Sequence, residues 1–77
     1  MRYSSGVTLT VEFDREEDGR FIAEIPALPG CLVYGATREE ALAKVEALAL
    51  RALADRLEHG EAMPEQANVS FVVPAAA

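Results

Sequence analysis

The sequence has 77 residues, of which 13 are acidic and 7 are basic, so its formal net charge at pH 7 is −6. A chain this short forms one domain whose core rarely supplies more than about 3–5 kcal/mol. The single cysteine, Cys31, excludes an internal disulfide, and one Cys with one His cannot complete a four-ligand zinc site. Association with other chains is the remaining source of stability, so we expect a homo-oligomer, either a dimer or a tetramer.

The acidic charge also narrows the class of partner. Affinity for nucleic acid comes largely from Lys and Arg side chains that neutralise phosphates, so an excess of carboxylates disfavours DNA or RNA. It favours a basic partner, or it serves solubility alone. No apolar stretch has the length of a signal peptide or a membrane span. We therefore expect a cytoplasmic protein without membrane contact, with one domain over residues 1–77 and an ordered core over about 7–73.

The first predicted elements are two strands of a hairpin. Residues 7–13 alternate apolar and polar side chains without a break, which is typical of a strand with one buried face. Residues 14–20 are mostly charged and contain the pair Asp18-Gly19, a strong turn signal. Residues 21–25 then form the returning strand. The length of the loop leaves the register between the two strands undecided.

A break rich in proline separates the hairpin from a third short strand. Pro26 and Pro29 each remove a backbone donor, and Gly30 can adopt a positive φ. These three residues must interrupt the ladder of hydrogen bonds. The third strand is predicted over residues 31–34.

One helix and a fourth strand complete the predicted order. Thr37 and Glu40 fit a capping box, in which the Thr37 hydroxyl accepts from the Glu40 amide and the Glu40 side chain reaches back. The helix runs to about Glu58, where His59 and Gly60 end it. Its broad apolar face, expected to cover the sheet, consists of Ala41, Leu42, Val45, Leu48, Ala49, Ala52 and Leu53. Residues 68–73 are predicted to be the fourth strand.

The helix carries a second apolar stripe, roughly 150° from the face that covers the sheet. Its members recur at steps of four and three along the chain and are Ala43, Ala47, Leu50, Ala54 and Leu57. Such a seam is typical of a helix that packs against another helix, from a second copy or from a partner. Alanine is also a favourable surface residue in helices, so a solvated stripe is the alternative. We take these five residues as candidates for self-association.

No group of residues in the chain predicts a reaction. Cys31 has the character of a small buried apolar residue, and His59 suits the negative end of the helix dipole. Partner-binding candidates come from the charged loop and are Asp14, Glu16, Glu17 and Asp18. They are either a solvated hairpin tip or a recognition surface for a basic partner, and they do not fit a calcium-binding EF-hand loop. We predict no catalytic residue, no metal and no cofactor.

Three motifs resemble those of the HicB-like antitoxin family. The stretch EEDGRFIAEIPALPGC over residues 16–31 resembles its D-G pair, strand and P-x-L-P-G-C. The stretch GATREEAL over residues 35–42 resembles G-x-T-x-E-E-A, and Gly60-Glu61 with Pro64 resembles G-E-x-x-P. The motif residues, interpreted as structural, are Gly19, Pro26, Pro29, Gly30, Cys31, Gly35, Thr37 and Glu40. The resemblance extends over residues 7–73, nearly the whole chain.

The resemblance implies a partial RNase H-like α+β fold with the order β-β-β-α-β. Three antiparallel strands carry one helix on one face, and the fourth strand lies beside the first. It also implies the antitoxin of a HicA–HicB-type system, which inhibits a small basic ribonuclease toxin by occluding it. Many members carry a second, DNA-binding domain, for which 77 residues leave no room, so direct DNA binding is not expected. Ala27 and Ala36 stand where the family often has an acidic residue.

Two other functions stay open at this point. One is a solitary homo-oligomeric module of the same fold, with another protein partner or a ligand. The other is a metal-dependent nuclease, which needs carboxylates from the first strand, the helix and the fourth strand around two metals. Glu12 and Glu46 are available for the first two places. Residues 68–73 contain no carboxylate, which argues against this nuclease.

Overall fold

A computed structural model describes residues 6–60 and 68–75 of the chain. Its elements, in chain order, are β1 (Gly6–Thr10), β2 (Glu12–Arg15), β3 (Phe21–Glu24), β4 (Leu32–Gly35), α1 (Arg38–Glu58) and β5 (Asn68–Val72). The strands β2, β3 and β4 form an antiparallel sheet in that order, and β1 pairs with β5 in parallel. The predicted α+β fold is confirmed: the sheet is mainly antiparallel, carries one helix, and has its last strand beside its first.

The first predicted strand is divided at Val11. The residues before it pair with β5 and those after it pair with β3, so the chain changes partner here. The Val11 amide donates to the Val72 carbonyl at 2.9 Å, and its side chain is fully buried. The prediction of one unbroken strand over residues 7–13 was wrong at this point. The alternation of apolar and polar residues continues unbroken where a strand changes its pairing partner, so the sequence pattern does not reveal the change.

The hairpin turn is shorter than predicted. The sequence pattern predicts Asp14 and Arg15 in the loop, but they belong to β2 and pair with Ile22 and Phe21. The turn is closed by the Glu16 amide, which donates to the Arg20 carbonyl at 2.8 Å. Gly19 has a φ of 92°, a left-handed conformation that favours glycine in such a turn. The third strand also begins and ends one residue later than predicted.

The core lies between the helix and one face of the sheet. The helix α1 packs over β3 and β4, and its buried residues Ala41, Val45, Ala49 and Leu53 all belong to the predicted apolar face. Opposite them lie the buried residues Leu9, Val11, Ala23, Ile25, Leu28 and Cys31. The other face of the sheet carries no helix among the described residues. No helix in residues 6–60 and 68–75 is long and apolar enough to cross a membrane.

Both predicted ends of the helix are confirmed. The Glu40 amide donates to the Thr37 hydroxyl at 3.0 Å, and the Glu40 carboxylate accepts from the Ala36 amide at 2.6 Å. This return bond is made one residue before the N-cap, a small departure from the standard capping box. At the other end, His59 is the C-cap and Gly60 has a φ of 83°. These bonds satisfy groups that a helix leaves open at its ends.

The remaining motif residues shape the connections around β4. Pro26, Pro29 and Gly30 are exposed in the loop before β4, which the buried side chain of Leu28 holds to the core. Gly35 is buried at the end of β4, against the first turn of the helix. Glu61 and Pro64, from the third motif, lie outside the described residues.

Candidate interaction surfaces

The tip of the hairpin carries three adjacent carboxylates. Glu16, Glu17 and Asp18 lie in the turn between β2 and β3, whereas Asp14 lies on β2. Asp18 accepts hydrogen bonds from the backbone amide of Arg20 at 3.0 Å and from its Nε at 2.8 Å. The backbone amide, and then the guanidinium, hold the pKa of the Asp18 carboxyl below its usual value of 3.8. Asp18 therefore remains anionic at neutral pH.

The cluster of carboxylates continues from the tip onto the face of the sheet that carries no helix among the described residues, which we call the open face. The register places Glu12 of β2 directly opposite Glu24 of β3, with Asp14 two residues further along the same face. We call Glu12, Asp14, Glu16, Glu17, Asp18 and Glu24 the acidic face. Like charges directly opposite each other on a sheet are destabilising. The four predicted residues are thus part of a larger surface.

Glu12 and Glu24 are the members of the acidic face that are not among the predicted partner-binding residues, although Glu12 is a candidate for the nuclease alternative. The signal that could have found them is the register of the hairpin, which the loop length left undecided. Arg20 contributes a cation beside the hairpin tip. Its guanidinium is already bonded to Asp18 and lies 4.6 Å from the centre of the Tyr34 ring.

The second stripe on the helix points away from the core. Leu50 and Leu57 are 49% and 51% exposed, Ala43 and Ala54 are exposed, and Ala47 is half-buried. Beside the stripe, between α1 and the outer edge of β4, lies a shallow groove of about 500 Å³. The groove is lined by Val33, Ala43, Lys44, Ala47, Leu48 and Arg51. The stripe and the groove form one continuous, largely apolar side of the molecule.

The residues with potentially reactive side chains, Cys31 and His59, are not assembled into a reactive site. Cys31 is buried with its Sγ 3.8 Å from the Val45 carbonyl, and burial raises the pKa of its thiol, which makes it a poor nucleophile. The exposed His59 places its Nδ1 2.8 Å from the Asp55 carbonyl at the end of the helix.

The carboxylates considered for a nuclease do not converge. Glu12 lies on the open face of the sheet, whereas Glu46 belongs to the helix that covers the opposite face. In residues 6–60 and 68–75 no group of three His, Cys, Asp or Glu side chains is arranged to hold a metal ion. Two-metal hydrolysis requires such convergence, so the separation of these carboxylates argues against this alternative.

Comparison with known proteins identifies a relative of this chain. Over 56 residues it is 41% identical to the UPF0150 protein Ta0767 of Thermoplasma acidophilum, and the matched part covers 71% of this chain and 80% of the relative. No family model matches the chain. No solved structure matches it either.

Proposed function

This chain belongs to the UPF0150 family, and we propose that it acts as a HicB-like antitoxin. In this proposal it is a non-catalytic cytoplasmic protein that binds a small basic ribonuclease toxin and occludes its active surface. The three motifs over residues 16–64 support the assignment to HicB-like proteins. The structural observation that carries the proposal is the acidic face, in which Glu12 and Glu24 stand opposite each other.

A basic partner offsets the electrostatic cost of this arrangement. A cross-strand pair of like charges costs up to about 1 kcal/mol relative to a neutral pair. Lys or Arg side chains of a toxin, placed between Glu12 and Glu24, convert the repulsion into two attractive contacts. The surrounding carboxylates of the acidic face also accelerate the encounter, because oppositely charged surfaces steer association.

The test is co-expression with the product of the adjacent gene, followed by size-exclusion chromatography with light scattering and an RNA-cleavage assay. We expect a stable complex with a basic protein whose RNA cleavage is lost. The double variant Glu12→Gln/Glu24→Gln should weaken the complex at least about tenfold, which is about 1.4 kcal/mol. The matched control Glu46→Gln/Glu58→Gln removes the same charge from the helix and should bind as the wild type does.

Two results would contradict the proposal. The first is the absence of any complex with the neighbouring gene product. The second is equal weakening by the two double variants, which would show that total charge and not the acidic face governs binding. Added salt should weaken the wild-type complex more than the Glu12→Gln/Glu24→Gln complex, because fewer charges are screened in the variant.

A solitary homo-oligomeric module is the second candidate function. The observation that favours it is the exposed stripe on α1, where two leucines are about half exposed on an otherwise small-residue seam. In that case the chain forms a homo-oligomer and does not bind the product of the adjacent gene. Self-association is compatible with the antitoxin proposal as well, so the complex with the toxin decides between the two.

A further inference from the structure

The pairing of β2, β3 and β4 arranges six side chains of the open face in two rows. Residues directly opposite each other in an antiparallel ladder share one face of the sheet. The first row consists of Glu12, Glu24 and Leu32. The second row, two residues away on each strand, consists of Asp14, Ile22 and Tyr34. Ala23 lies between the rows on β3, points the other way and is fully buried on the helix side.

The open face has an acidic half toward β2 and an apolar half toward β4. Leu32 and Tyr34 are 42% and 40% exposed, and Ile22, directly opposite Tyr34, is half-buried. Adjoining exposed apolar side chains with a polar border are typical of a protein-binding surface. The guanidinium of Arg20, 4.6 Å from the centre of the Tyr34 ring, is already paired with Asp18. It therefore adds little repulsion toward a basic partner.

The width of the open face is that of one helix. Neighbouring strands are about 4.8 Å apart, so β2 and β4 lie about 10 Å apart with β3 between them. An α-helix with its side chains is about 10–12 Å in diameter. On the other side of the sheet α1 already covers β3 and β4. A single helix laid along the strands would cover the open face in the same way.

We propose that an α-helix of the basic partner lies along the strands on the open face, with Lys or Arg over the acidic half and apolar side chains over the apolar half. This inference rests on the proposed function and deepens it, because it names the element that the partner contributes and the residues that anchor it. Charge complementarity selects this occupant. A second copy of this chain would bring carboxylates against carboxylates, whereas basic side chains neutralise Glu12 and Glu24.

The spacing of the two rows determines the pattern of the partner helix. Two residues of a strand span about 6.6 Å, which is the separation of the rows. Four residues of a helix rise about 6 Å, so side chains four apart contact successive rows. The partner helix should therefore carry two basic side chains four residues apart. Its neighbouring flank should carry two apolar side chains with the same spacing.

The two halves of the open face have different effects on the rates of binding. Exposed carboxylates attract a basic partner before contact, so Glu12 and Glu24 raise the association rate and make it sensitive to salt. Apolar side chains act after contact, because buried apolar anchors slow dissociation. Leu32 and Tyr34 therefore determine the dissociation rate of the complex.

The experiment measures both rates by biolayer interferometry on the complex with the product of the adjacent gene. Leu32→Gln/Tyr34→Gln should raise the dissociation rate at least about tenfold and change the association rate by less than about twofold. The matched control is Leu50→Gln/Leu57→Gln, which removes similarly exposed apolar side chains from α1 and should dissociate as the wild type does. Circular dichroism should show that both double variants are folded.

Two results of this experiment overturn the proposal. One is a wild-type dissociation rate for Leu32→Gln/Tyr34→Gln, which would refute the anchoring role and leave the antitoxin function intact. The other is equal acceleration of dissociation by the two double variants. The absence of any complex would instead refute the antitoxin function, and synthetic peptides then test the open face on the chain alone.

The peptide probe is a helix of about 18 residues, long enough to be helical by itself. It carries lysines four residues apart and leucines with the same spacing on the neighbouring flank, and the control peptide has glutamate in place of lysine. The lysine peptide should bind at least about tenfold more tightly. It should shift the amide NMR signals of β3 and β4 in the wild type but not in Leu32→Gln/Tyr34→Gln. Equal binding of the two peptides, or shifts confined to the stripe on α1, would contradict the proposal.

Discussion

Replacing Gly35 with alanine tests the close approach between β4 and the start of the helix. Gly35 is buried, and a Cβ added there would lie 2.5 Å from the Ala41 nitrogen, 2.9 Å from its Cα and 3.0 Å from its Cβ. The obstructing atoms are mostly helix backbone and cannot rotate away, so strand and helix would have to separate. Overpacking of a core typically costs about 1–3 kcal/mol. We expect about 3 kcal/mol, most of the roughly 3–5 kcal/mol that such a small core supplies.

Urea denaturation followed by circular dichroism measures this cost at a fixed chain concentration. With a slope of about 1 kcal/mol/M for a small domain, the midpoint of Gly35→Ala should fall by about 3 M. Gly6→Ala is the control, because a Cβ at Gly6 lies an ordinary 3.5 Å from the Asn68 carbonyl oxygen. Its free energy of unfolding should change by no more than about 0.5 kcal/mol. Equal midpoints for the two variants would refute the close-contact argument.

Three further predictions concern individual side chains. Thr37→Ala should lower the free energy of unfolding by about 1 kcal/mol, since the Thr37 hydroxyl caps the helix by accepting from the Glu40 amide. In the same urea titration, Thr37→Ser should keep most of the wild-type stability. The Asp18 carboxyl should titrate below 3.8 in an NMR titration of the folded chain. Because its folded pKa is depressed, the stability that Asp18 contributes is fully present above pH 3.8 and is lost as the pH falls through the folded pKa. The difference in free energy of unfolding between the wild type and Asp18→Asn should therefore shrink in acid. Burial raises the pKa of the Cys31 thiol, so alkylation should be slow in the folded chain and fast in urea; rapid labelling of the native protein would contradict the burial.

Local signals in the sequence determined the elements of this fold. The alternation in residues 7–13 and 68–73 indicated strands, because side chains of a strand face opposite sides in turn. The capping pattern of Thr37 and Glu40 and the stop at Gly60 fixed both ends of the helix, since these residues satisfy its terminal main-chain groups. The apolar face that packs on the sheet also followed from helical periodicity alone. The acidic hairpin was recognisable in part, by its four acidic residues.

Only the tertiary structure decided how these elements are matched to one another. A shift of the hairpin by two residues keeps every side chain on its own face, so alternation cannot determine that Glu12 stands opposite Glu24. The change of partner at Val11 and the order of β2, β3 and β4 in their sheet likewise depend on which strands meet, which is a non-local property. The requirement for glycine at position 35 arises from the helix backbone packed against it. The sequence determines the faces of each element, whereas contacts between distant segments determine register, edges and close approaches.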